Sequence, residues 1–478
     1  MKPIDRRTFV SGLGVSGVSL LASQKPSSAA FIGGRSAGLV MAWYNLSFGL
    51  YGWTQAAYQE EFEQIQNYGV DVLVLDMFGW NPTYTAYFNY QTAAAAAFAA
   101  AAAMGTNFKL CFAFDWIGGS EPASDAGLMM TAYGNHPNYF YYLGKPFLSS
   151  FKGSINTTTG SSDNTFVSAA LASVASAGFT PFFCPYFGLP GFSANNQSST
   201  NAAALAAFNG GWLPAVCNGL MGWSDLIPAL NAQRNASELY VTSNQAPPIL
   251  AVPSVTSWFG IIRFLYLNEN AEFLEYNGYE GMSTLWAAAI AQAPPLVIIV
   301  TWNDYTETYC GPGTTAQLAT AAVPSYWQVS STFLNGHAGF AEMHRYWIAQ
   351  YKAGQALTPG QDLMLVAYRT AAQSVAAADY TGTISWNAQV YNATLDDLYI
   401  TTVCTAAATL QVSTGGNVTN TAVPAGVAHT RIPFSVGAQT FALIRAAATL
   451  ISITGANVVA TLTDQTNMNP VTYFGYGV

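Results

Sequence analysis
Asp304 and Glu307 stand three residues apart in the segment PPLVIIVTWNDYTETYCGP, positions 294–312. Only 24 of the 478 residues are Asp or Glu, so this pair is a concentration of acid in an acid-poor chain. Two carboxyls near one bond suit hydrolysis of a glycosidic linkage. The protonated one delivers a proton to the leaving oxygen, and the ionised one activates water or attacks the sugar. The spacing does not fix how far apart the groups lie, so inversion and retention both remain open. Asn303, Trp302 and Tyr305 flank the pair. Asp76, Asp115 and Asp225 stand just past other apolar runs. Of 12 Trp, six close such runs: Trp43, Trp80, Trp116, Trp223, Trp258 and Trp302. Flat aromatic faces stack on the apolar C–H faces of sugar rings. The candidate catalytic residues are therefore Asp304 and Glu307. The candidate substrate contacts are Asp115, Asp76, Asn303, Trp302, Trp258, Trp116, Trp80, Trp43 and Tyr305, with His136 in a loop feeding the fourth apolar run. The four histidines, His136, His337, His344 and His429, have no metal-ligand spacing with acids. No G-x-S-x-G elbow is present. Neither a metal nor another cofactor is expected.

The pair needs an element that delivers it. Leu296 to Thr301 is apolar and β-branched, as a strand buried on both faces reads. Seven comparable runs precede it, each followed by a helical pattern. The strands are expected at 39–45, 71–78, 108–116, 146–153, 180–188, 216–223, 248–259 and 296–301. Eight alternations over about 320 residues imply an α/β chain of the (β/α)8 TIM-barrel class, whose active sites sit where the strands end. An open doubly wound sheet would carry a Gly-rich phosphate turn after its first strand, and none is seen. Past Gly360 the texture changes to short alternating runs, LMLVAYR, YTGTISWN, DDLYITTV, TLQVST, FALIRA and ISITG, separated by Gly, Asn and Asp. These read as a C-terminal antiparallel β-sandwich, which either binds carbohydrate or braces the barrel. The expected domains are an export signal over 1–30, the catalytic barrel over 31–358 and the sandwich over 359–478.

Composition narrows the function. Charged residues are 8%, hydrophobic residues 51% and the formal charge is -9. With no basic stripe to neutralise phosphates, nucleic acid is excluded as a partner. Asp5-Arg6-Arg7-Thr8-Phe9-Val10, a mild apolar stretch to Ala22 and small residues at Ser28-Ala29-Ala30 resemble a twin-arginine signal of a bacterial protein exported after folding. No other stretch reads as a membrane span, so no membrane contact is expected after signal removal. Five cysteines in a chain folded before export argue against a disulfide framework. The oligomeric state is not legible.

TWNDYTETYCGP resembles the T-W-N-D-Y-G-E-S signature of glycoside hydrolase family 71, the α-1,3-glucanases or mutanases. Further segments are similar to that family in order: YGWTQAAYQEEFEQIQNYGVDVLVLD, FKLCFAFDW, HPNYFYYLGKPFLSSFKG, AVPSVTSWF and HAGFAEMHRYWIAQYKAG. The resemblance implies a (β/α)8 barrel with a trailing β domain, and an exported enzyme hydrolysing α-1,3-glucan (mutan), endo-acting and inverting. The family's catalytic pair falls on Asp304 as base and Glu307 as acid, and its third-strand acid falls on Asp115. The competing readings are a related barrel hydrolase on another α-glucan or α-mannan, and a catalytically silent polysaccharide-binding protein.

Overall fold
The computed structural model describes residues 38–46, 54–80, 89–105, 108–115, 122–151, 161–186, 192–193, 196–197, 201–211, 213–223, 228–257, 259–261, 271–274, 276–304, 308–312, 337–375, 384–386, 396–461 and 471–477. The expected export signal over 1–30 lies outside them. Among the described residues no helix is long and apolar enough to cross a membrane.

Strands and helices alternate as the hydrophobic periodicity implies. The order is β1 (Leu39–Asn45), α1 (Gln55–Asn67), β2 (Val72–Met77), α2 (Tyr90–Ala103), β3 (Lys109–Phe114), α3 (Asp125–Tyr133), β4 (Lys145–Ser150) and α4 (Ser161–Ser176). Then come β5 (Phe182–Phe183), α5 (Asn201–Asn209), β6 (Gly219–Met221), α6 (Pro228–Ser243), β7 (Leu250–Val252), the short strand Ser254–Val255, α7 (Tyr279–Gln292) and β8 (Leu296–Ile299). Local chemistry sets the ends. The Thr54 hydroxyl caps α1 by accepting from the Ala57 N–H at 3.3 Å. The Asn89 carboxamide caps α2 at Thr92 N, 3.0 Å. Helix α2 carries little amphipathic pattern, and its buried Ala93, Ala94, Ala97, Ala100 and Ala101 permit close approach to its neighbours.

The parallel sheet runs Ser254–Val255, β8, β1, β2, β3, β4, β5. β6 and β7 pair separately, also in parallel. Backbone hydrogen bonds bridge both gaps. Asn218 N–H donates to Phe183 O at 2.7 Å and Met221 N–H to Pro185 O at 3.0 Å, while Ile298 N–H donates to Pro253 O at 3.0 Å. The hydrogen-bond path thus returns to its start. The fifth strand is far shorter than the expected 180–188, because Pro181 and Pro185 have no N–H to offer a ladder. Cys184 and Tyr186 nevertheless continue the pairing through Leu148 O and Ser150 O.

After β8 come a hairpin, β9 (Asn303–Asp304) and β10 (Thr308–Tyr309), and helix α8 (Ala338–Ala353). The antiparallel part follows as β11 (Leu363–Tyr368), β12 (Asp397–Cys404), β13 (Ala408–Thr414), β14 (Asn417–Val423), β15 (Gly426–Pro433), β16 (Gly437–Arg445), β17 (Ala448–Val458) and β18 (Val471–Tyr476). It forms two four-stranded sheets, β15-β12-β11-β18 and β14-β13-β16-β17. Met364, Val366 and Tyr368 of β11 join Leu410, Val412, Phe441 and Leu443 in a core between them. The alternate residues Leu363, Leu365 and Ala367 belong to the core beneath the helices of the first part. One strand therefore has two apolar faces, which explains its unbroken apolar sequence. The run YTGTISWN departs from expectation: its strand Ile384–Trp386 pairs in parallel with Ala271–Leu274, before α7, and not with the two sheets. β14 is not among the runs singled out in sequence, because its exposed, polar residues NVTNTAV lack an apolar period.

Candidate active site
Alternation along β1 separates wall from interior. Tyr44 points at the helix layer, where its hydroxyl donates to Glu61 Oε2 of α1 at 2.5 Å. Trp43 and Asn45 therefore face the other way, into the space the strands surround. Asn45 is in register with Asp76 on β2, and both are buried. Asp115 follows β3, with its N–H on Met77 O at 2.9 Å. On the other side of β1, Trp302 N–H donates to Trp43 O at 2.8 Å, which carries the pairing past the end of β8. Asn303 then clamps β1: its Oδ1 accepts from Asn45 N–H at 2.7 Å and its Nδ2 donates to Asn45 O at 3.0 Å. The Thr301 hydroxyl accepts the Asp304 N–H at 2.9 Å, and Asp304 pairs with Thr308 across the hairpin. The carboxylates of Asp304, Asp76 and Asp115 thus come from the C-terminal ends of three strands in one sector, β8 through β3. Asp304 is only 8% exposed. Tyr305 and Glu307 lie outside the described residues, as do Trp116 and Trp258.

Around Trp43 lies an aromatic group of which the sequence pointed to Trp43 and Trp223 but not to Phe151 or Tyr186. Trp43 meets Trp223 edge-on at 5.2 Å and Phe151 at 6.1 Å. Phe151 packs on Trp223 at 4.4 Å and stacks on Tyr186 at 5.5 Å. The Arg234 guanidinium of α6, itself buried, lies 5.8 Å from the Tyr186 ring centre. These rings come from the ends of β1, β4, β5 and β6. Phe151 and Tyr186 each stand a residue or more past a short strand, so no sequence period marks them. Counting aromatics that close apolar runs, without restricting the count to Trp, would have found them.

Four expected substrate contacts, Trp302, Trp80, His136 and Asn303, are engaged within the fold. Trp302 is fully buried against the Tyr68 ring at 5.9 Å, with Gly311 N–H on its carbonyl at 2.9 Å. It wedges the hairpin against α1 and offers no open face. Trp80 packs on Phe112 and Tyr133, each at 6.2 Å, under α3, where Asp125 Oδ2 accepts its N–H at 2.9 Å. His136 lies beside Lys109, the first residue of β3, whose ammonium bonds Pro137 O at 2.8 Å. That is the end of the strand opposite to Asp115. Its ring edges onto Phe98 at 4.9 Å, and burial, helped by Lys109, lowers its pKa. Asn303, though beside the acid, spends its carboxamide on Asn45. Cys310 is fully buried and its thiol pKa is pushed well up by burial, which disfavours the thiolate a nucleophile needs.

The arrangement gathers carboxylates and aromatic rings at the C-terminal ends of the strands, the residue types that sugar hydrolysis uses. Comparison with known proteins agrees with that chemistry. Glycosyl hydrolase family 71 matches residues 37–475. A mutanase of Penicillium rubens is 24% identical over 404 residues, 83% of this chain and 79% of that protein. A glucan endo-1,3-alpha-glucosidase of Schizosaccharomyces pombe is 25% identical over 375 residues, 77% of this chain and 80% of that protein. Among solved structures, the GH99 endo-alpha-mannosidase from Bacteroides thetaiotaomicron aligns with TM-score 0.45 and 12% identity, over 66% of this chain and 98% of that one. With nearly its whole described length inside one family match, the chain belongs to glycosyl hydrolase family 71 and is a glycoside hydrolase.

Proposed function
We propose that this enzyme hydrolyses α-1,3-glucosidic bonds of α-1,3-glucan, acting within the chain and with inversion. The observation that carries this is Asp304, held at the C-terminal end of β8 by Thr301 and by the neighbouring Asn303 clamp, in a chain whose relatives bear the names mutanase and glucan endo-1,3-alpha-glucosidase. In this reading Glu307, three residues on, is the acid that protonates the leaving oxygen. Asp304 is the base that draws a proton from the attacking water. Asp76 and Asp115 hold sugar hydroxyls, and the Trp43–Trp223–Phe151 group excludes water beside the ring. The catalytic part is a (β/α)8 barrel over residues 31–358, the β-sandwich over 359–478 braces it, and residues 1–30 direct export from a bacterial cell.

The test is product release from pure α-1,3-, α-1,4- and α-1,6-linked glucans, followed by anomer analysis of the first product. Release from the α-1,3 polymer alone, as the inverted anomer, is expected. Glu307→Gln should keep binding and lower kcat by roughly a hundred- to ten-thousandfold. Equal release from the α-1,4 polymer, or a Glu307→Gln variant with normal kcat, would overturn the assignment.

A further inference from the structure
Behind the acid sector, between the end of the β7 wall and helices α7 and α8, lies a buried chain of three polar side chains. Trp286 Nε1 donates to His344 Nδ1 at 3.0 Å, and His344 Nε2 is 3.2 Å from Ser257 Oγ. Trp286 and His344 are fully buried and Ser257 nearly so. A serine and a histidine at this distance resemble a nucleophile with its base. Their wiring excludes that role. An indole N–H can only donate, so Nδ1 must present its lone pair to Trp286. The neutral ring then carries its one proton on Nε2 and donates it to Ser257. A nucleophilic serine needs the reverse, a lone pair on Nε2 that takes the hydroxyl proton. Burial alone lowers the His344 pKa, to about 3, which agrees with a ring that stays neutral.

The chain ends on the wall that presents Asp304. Ser257 lies two residues past Val255, whose carbonyl accepts Val300 N–H at 2.9 Å. Val300 leads to Thr301, whose hydroxyl holds the Asp304 N–H. Helix α8, which carries His344, is anchored at its other end by the Tyr351 hydroxyl on Pro294 O at 2.6 Å, just before β8 begins. We propose that His344 is a positioning residue of fixed polarity: it accepts from Trp286, donates to Ser257, and so holds the end of the β7 wall in the register from which β8 delivers Asp304. This rests on the reading of Asp304 as a catalytic carboxylate.

The experiment uses the full chain. Nitrogen-15 spectra of the His344 ring should show an unprotonated Nδ1 and a protonated Nε2 throughout pH 5 to 8; a proton on Nδ1, or titration within that range, overturns the proposal. His344→Gln can accept and donate in the same order, and should keep kcat on α-1,3-glucan within about threefold. His344→Leu should lower kcat about tenfold with KM within about twofold. Ser257→Ala should cost less than about tenfold in kcat; a loss of roughly a thousandfold or more would make Ser257 the nucleophile and overturn the proposal. Full kcat in a folded His344→Leu protein would do the same. Should that variant fail to fold, Trp286→Phe removes the indole donor together with part of its ring: loss of the fixed Nε2–H form and a lowered kcat are expected, and an unchanged spectrum and kcat count against the proposal. A wild-type protein that releases no sugar from any glucan sinks the glucanase reading and the positioning role with it, while the ring's polarity is still decided by the spectrum.

Discussion

Asn303 shows how a single side chain can stand in for a peptide unit. Its carboxamide gives and takes one hydrogen bond with the same residue, Asn45, as a neighbouring strand would. Asn303→Ala leaves the buried Asn45 N–H and C=O without these partners, and should destabilise the protein by about 2–4 kcal/mol in urea denaturation. From sequence, Asn303 reads as a substrate contact because it adjoins an acid; the hydrogen-bond partner of its carboxamide, Asn45, is 258 residues away and no local pattern reveals it. The placement of Asp304 was legible for a simpler reason: the apolar run before it reads as a buried strand that ends just ahead of the acid. His344 gives a test by pH. The unfolded chain protonates this ring near 6.5, whereas the folded protein keeps it neutral down to about 3. Between those values the unfolded state holds the extra proton, so stability falls as pH drops through that window and is unaffected above it. The slope is up to about 1.4 kcal/mol per pH unit. His344→Gln should lose less melting temperature between pH 7 and pH 4 than the wild type; an equal loss would place the acid sensitivity elsewhere.

The β9–β10 hairpin is held by close packing as well as by pairing. A Cβ at Gly311 would lie 2.6 Å from Trp302 Nε1 and 2.8 Å from Trp302 O. The second of these is backbone and cannot swing away. Gly311→Ala should therefore push the hairpin off Trp302 and weaken glucan hydrolysis, with a stability cost of about 1–3 kcal/mol by thermal melting; unchanged kcat would mean that the hairpin tolerates the shift. The strands of the first part were legible as apolar runs, α1 by its Thr54 cap and α2 by its run of alanines. Where prolines interrupt a ladder, as at Pro181 and Pro185, the apolar run overstates the strand. Which way the aromatic rings face was not legible, since Trp43 and Trp302 both follow apolar runs yet one faces the interior and the other the helices.

The sheet β15-β12-β11-β18 is tied to α7 and α8 by polar contacts at the edge of an apolar seam. The Tyr279 hydroxyl bonds Val366 O at 3.1 Å, and Gly339 N–H bonds Thr472 Oγ1 at 2.9 Å. The Tyr476 hydroxyl meets Glu342 Oε2 at 2.7 Å and also contacts Arg345, the residue after His344. Burial raises the Glu342 pKa, and Arg345 and Tyr476 oppose that rise. Tyr476→Phe removes one donor to a buried carboxylate and should lower stability by about 1–3 kcal/mol in urea denaturation; no change would mean that Arg345 and Tyr68 satisfy Glu342 without it. Sequence left open whether this β part binds sugar or braces, because a strand's outer face and its inner face read alike when both are apolar.

β11 gives this architecture a particular fate under excision and recombination. Because its odd-numbered and even-numbered side chains fill two different cores, it is a party wall, owned by neither room. A protease nick or gene truncation before it would strip lining from the catalytic half and gut the other. An engineer wishing to graft a foreign module onto this enzyme would have to keep that wall standing and join new chain beyond it.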